Sequence, residues 1–163
     1  MDARRHGETM LMKNRTTVER TSEREVVVTR TVNGSARIVF EAFTNPALFT
    51  RWWLPKSMGM VLRSCEMDVR VGGTYRLVFE PDGMAFFGTY REVTPPSRLV
   101  WTNEEGGEGG PVTTVTLEET GGQTLLVLHE LHASKESLDA AGTGAAEAMV
   151  ETFAQLDELL LTL

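Results

Sequence analysis

AAEAMVETFAQLDELLLTL, residues 145–163, is where the chain changes its period, and that change decides the fold. Met149, Phe153, Leu156 and Leu160 step by 4, 3 and 4, which lays one apolar stripe along a helix. Glu147, Glu151, Gln155 and Glu158 fall largely off the stripe, so the helix has one face to bury and another to hydrate. Such a helix needs a second layer to pack against, and the residues before it supply one.

From about residue 61 to 132 the pattern is strand throughout. VLRSCEMDV (61–69) runs into Gly72-Gly73, and TYRLVFE (74–80) alternates with Tyr75, Leu77 and Phe79 on one face. PDG (81–83) is a turn. MAFFGTYREV (84–93) is a long strand with Gly88 in its middle, where a bend is eased. RLVWTNE (98–104), VTTVTLEET (112–120) and TLLVLHELH (124–132) complete the run, with short glycine-rich links that favour antiparallel pairing. Between strands and helix, SKESLDAAGTG (134–144) contains Gly142 and Gly144 and predicts only fragmentary helix.

Further upstream, REVVVTRTV (24–32) is a β-branched first strand. Ser35 is placed to cap a helix whose apolar positions are Ile38, Val39, Ala42 and Phe43, and Asn45-Pro46 stops it. Pro46 opens a second short helix, PALFTRWW, which Pro55 closes. Its two tryptophans point about 100° apart on a helix. Trp52 is expected to plug the core and Trp53 to stand at the mouth of any cavity. The fold class is therefore α+β: a curved antiparallel sheet of about seven strands around a long C-terminal helix, with two short helices after the first strand. Residues 24–163 form one domain, and residues 1–23, which lack periodicity, are expected to be a disordered or loosely attached tail.

Charge narrows the partners. The net charge is −7. Residues 1–24 carry six Lys/Arg against four acids, a balance of +2, which leaves −9 on the remainder. A body that acidic repels phosphate backbones, so nucleic acid is not expected as a partner. No apolar stretch is long enough to span a membrane, and the first residues have no apolar signal core. A single cysteine, Cys65, excludes an internal disulfide and fits a cytoplasmic location. Monomer and homodimer both stay open.

The runs ARIVFEAFTNPALFTRWWLP, DVRVGGTYRLVFEPDG, GTYREVTPPSRLVWT, TVTLEETGGQTLLVL and ETFAQLDELL, in that order, resemble the START-like (birch-pollen-allergen-like, SRPBCC) superfamily. Within it they are most similar to the branch named for homology to the activator of the heat-shock protein 90 ATPase. The resemblance covers roughly residues 24–163 and implies a helix-grip fold with a hydrophobic pocket. It also implies three functions: binding of a lipid-, polyketide- or aromatic-like molecule, stimulation of a chaperone ATPase, or polyketide cyclase or dehydratase chemistry. The chain differs from the two-domain co-chaperones of that branch, since its first 23 residues are too short to replace their extra domain.

Ten side chains are candidates to line the pocket: Trp53, Met60, Tyr75, Leu77, Phe79, Phe86, Tyr90, Trp101, Met149 and Phe153. Glu92, in phase with Phe86, Gly88 and Tyr90, is the lesser candidate for an acid facing the cavity. HELH (129–132) has the residue types of a metal site, but a strand turns His129 away from Glu130 and His132. They read as polar residues at a strand end, and no metal or cofactor is expected. GGEGG (106–110) and GTG (142–144) lack the lysine and hydroxyl of a phosphate cradle and read as loops. Cys65 reads as a structural thiol, and Asp68 with Arg70 as an ion pair at a strand end.

Overall fold

The computed structural model describes residues 15–81, 83–107, 109–142 and 144–163. Its elements run β1 (Thr17–Arg20), β2 (Glu25–Val32), α1 (Ala36–Thr44), α2 (Pro46–Phe49), β3 (Val61–Met67), β4 (Thr74–Glu80), β5 (Ala85–Thr94), β6 (Arg98–Thr102), β7 (Val112–Thr120), β8 (Gln123–Leu131), α3 (Lys135–Ala141) and α4 (Gly144–Leu160). The strands make one antiparallel sheet of eight in the order β1-β2-β8-β7-β6-β5-β4-β3. With α4 gripped by the sheet, this is the helix-grip architecture.

Two expectations change. The tail reading extends too far: Thr17–Arg20 pairs with Thr29–Val26 as an added edge strand, which takes the described strands from seven to eight. Val18 packs on the core and Thr16 is buried, its Oγ1 accepting from Arg30 at 3.1 Å. Four residues with two charges carry too little alternation to be read as a strand alone. Residues 1–14 of the predicted tail lie outside the described residues. The second change is α3, a seven-residue helix rather than fragments. Ser134 Oγ accepts from Ser137 N–H at 3.0 Å, and fully buried Leu138 anchors it.

Elsewhere local chemistry starts the two short helices as read. Ser35 Oγ accepts from Ile38 N–H at 3.3 Å to start α1. Asn45 is extended, ends α1, and accepts from Ala47 N–H at 3.0 Å to start α2. Helix α2 is shorter than PALFTRWW: it ends at Phe49, and the tryptophans lie in the turn after it. Helix α4 buries Met149, Phe153, Leu156 and Leu160 as its stripe requires, with Ala146, Thr152, Gln155 and Leu159 beside them. Asp157 fastens it to β2, accepting from Arg30 at 2.7 and 2.9 Å and from Asn33 N–H at 3.0 Å.

Gly88 has a definite task. A methyl group there would overlap the Thr102 carbonyl oxygen of β6 and press on the Tyr75 ring. Its absence lets β6 come close and lets Tyr75 lie flat across the cup, donating from its hydroxyl to Thr102 O at 2.7 Å.

Candidate functional site

Sheet and helix do not close completely on one another. Between them lies a partly open cavity of about 350 Å³, within the roughly 300–1,000 Å³ of small-molecule sites. Seven of the ten side chains named from sequence stand on its wall: Trp53, Tyr75, Leu77, Phe86, Tyr90, Trp101 and Met149. The other three do not. Phe153 is fully buried beneath α4 against Trp52, with ring centres 6.3 Å apart. Phe79 is buried edge-on to Phe86 at 5.7 Å, and Met60 packs against the core from outside the cavity.

The two tryptophans part company. Trp52 has no exposed surface, donates from its indole N–H to Ala42 O at 2.9 Å, and meets Phe43 edge-on at 4.8 Å. Trp53 stacks on Phe49 at 4.9 Å and faces the cavity. A glutamine of α4 holds this turn in place. Gln155 donates to Trp52 O at 3.0 Å and Leu54 O at 2.8 Å, and accepts from Lys56 N–H at 2.9 Å. Between those contacts Leu54 has φ +68, an uncommon conformation for a residue with a branched side chain, and it too lines the cavity. Glu151 adds two bonds to Ser57, 2.6 Å to the hydroxyl and 3.0 Å to the backbone N–H.

Glu92 does not face the cavity. Tyr90 pairs with Trp101 and Glu92 with Val100, so one extra residue, Arg91, is inserted in β5. That bulge reverses the alternation. Val93 then packs on the core opposite Leu99, and Glu92 turns out to Arg98, 3.0 Å away at the half-exposed strand end.

Acidic and basic groups reach the cavity from another strand. In β8, Leu126 and Leu128 point inward, and the same parity carries Glu130 and His132 to the cavity wall. Their side chains are 24% and 7% exposed, with Nε2 of His132 3.5 Å from Oε2 of Glu130. His129 faces the other way and meets Glu25 at 2.6 Å. The expected division of HELH holds, and the inward pair, at the end of β8, also stands on the wall of the cup. Among the described residues no group of three or more His, Cys, Asp and Glu is arranged to hold a metal.

Burial pushes the Glu130 carboxyl above the ordinary range, with the nearby His132 pulling the other way. Burial also drives the hydroxyls of Tyr75 and Tyr90 well above their usual range, so both remain protonated donors. The Cys65 thiol, half-buried on β3, is pushed up to about 11 by burial and is a poor nucleophile at neutral pH. Asp68 and Arg70 pair at 2.8 Å in solvent, away from the cavity. Asn103, Thr113 and Thr152 complete the polar wall. Thr152 is fully buried, and its hydroxyl is without a hydrogen-bond partner among the described residues.

Comparison with known proteins follows the fold. Residues 33–161 match the family described as activator of Hsp90 ATPase homolog 1-like protein. A crystal structure from Rhodobacter sphaeroides is similar at 25% identity and a TM-score of 0.79, covering 91% of this chain and 99% of that one. One from Chromobacterium violaceum is similar at 26% identity and a TM-score of 0.72, covering 85% and 98%. One from Nitrosomonas europaea, at 24% identity and a TM-score of 0.74 over 88% and 97%, shares the fold. No protein with a curated description matches the chain.

Proposed function

The chain belongs to the family of activator of Hsp90 ATPase homolog 1-like proteins, of SRPBCC/START-like architecture, and on that premise we propose that it binds a small hydrophobic molecule between the sheet and α4. The observation that carries this reading is the wall itself: Trp53, Trp101, Tyr75, Tyr90 and Phe86 around about 350 Å³ of space. Flat aromatic surfaces give a ligand large contact area at little cost in side-chain freedom. Met149 and Met58 let the wall adapt to shape. No helix among the described residues is long and apolar enough to cross a membrane, so this apolar surface is not that of a membrane-spanning helix. Native mass spectrometry of protein purified without denaturation tests the reading. A bound species of small-molecule mass, released on unfolding and replaceable by a hydrophobic dye, is the expected result. Bare protein that takes up no dye would contradict it.

A further inference from the structure

One row of paired residues crosses the cup: Tyr90 of β5, Trp101 of β6, Thr113 of β7 and Glu130 of β8. All four line the cavity. Two strand spacings, about 10 Å along the sheet, separate the Trp101 and Glu130 columns. An aromatic body lying on Trp101 therefore ends over Thr113 and Glu130, where the His132 imidazole also stands, 3.5 Å from the carboxyl.

The ionisable side chains on the wall besides the two tyrosines are Glu105, Glu130 and His132, and no arginine or lysine of the described residues joins them. A carboxylate brought in beside Glu130 would lose its water shell next to another acid, with no arginine or lysine on the wall to pair with it. A hydroxyl meets complementary partners: Glu130 accepts its proton in a charge-assisted bond, and the imidazole N–H donates to its oxygen. Thr113 is the weaker acceptor, since its hydroxyl is uncharged and its Oγ1 already accepts from Asn103 Nδ2 at 2.9 Å.

Building on the ligand-binding reading, we infer that Glu130 and His132 form a head-group site that selects an aromatic molecule bearing an uncharged hydroxyl and rejects the matching carboxylate.

Three probes of one ring system test this by displacement of Nile red at pH 7.5: naphthalene, 2-naphthol and 2-naphthoate. The expected order is naphthol about tenfold tighter than naphthalene, the gain of one charge-assisted bond, and naphthoate weaker than both. Glu130→Gln should bring naphthol and naphthoate to within about threefold of each other, each read as a ratio to naphthalene in the same variant. Should that variant not fold by circular dichroism, His132→Gln is expected to erase most of the naphthol advantage over naphthalene measured in the same variant. Naphthoate binding as tightly as naphthol in the parent protein would overturn the head-group site and leave the cavity reading intact. Failure of all three probes would overturn both.

Discussion

Trp52 and Trp53 are neighbours in sequence with separate physical roles. Trp52→Ala removes a fully buried ring and strands the Ala42 carbonyl, and should cost about 3–5 kcal/mol in urea unfolding. Trp53→Ala takes away a half-buried wall residue. It should cost well under half of that while weakening dye binding severalfold, and equal losses from both variants would contradict the division. Gln155→Ala leaves two carbonyls and one N–H of the tryptophan turn without their partner, and is expected to cost about 1–3 kcal/mol. Glu130 supplies a pH signature. A carboxyl whose folded value is raised holds its proton more tightly in the folded chain. Its penalty is absent below the unfolded value near 4.3 and grows as pH climbs through that value toward the folded one. Glu130→Gln should therefore raise the melting temperature relative to the parent more at pH 7.5 than at pH 4, and an equal difference at both would count against a buried, raised carboxyl.

At the scale of elements, the bulge in β5 and the parity of β8 decide which acid faces the cup. Strict alternation carried forward from Tyr90 turns Glu92 inward, and one inserted residue, Arg91, sends it out to Arg98. Deleting Arg91 leaves Tyr90, Glu92 and Val93 in plain alternation with the same partners on β6, so Glu92 should stay outward, Val93 should stay in the core, and the urea midpoint should fall only modestly. A collapse in stability, as if Val93 had been expelled from the core, would mean that Arg91 is not the inserted residue. Nothing local in GTYREV marks the bulge, which shows only in the pairing of β5 with β6. The inward pair was missed in the sequence, although its signal is there: Leu126, Leu128, Glu130 and His132 share one parity along β8. The helical stripe of α4, the cap at Ser35, the stop at Asn45-Pro46 and the six-strand run could be read directly, since each is a local pattern. Strand β1 could not, because TVER becomes a strand only by pairing with β2.

For the whole molecule, the sheet and α4 leave space because the helix packs on one flank, against β1, β2 and α1, while aromatic side chains of β4 to β6 hold the far wall open. Four of the seven candidates that reach the wall, Tyr75, Phe86, Tyr90 and Trp101, were legible because inward parity and aromatic character coincide in those strands. Phe153 and Phe79 look the same in sequence and fill the core, since only the relative placement of helix and sheet separates wall from core. The central claim, that this space admits a hydrophobic molecule, is tested most directly by titrating the parent protein and a filled variant with Nile red. Ala148, on the face of α4 toward the cavity, is the position to fill. Parent protein should bind with blue-shifted emission that saturates at one dye per chain, and folded Ala148→Phe should lose most of that binding. Undiminished binding to the filled variant, or none to the parent, would contradict the account.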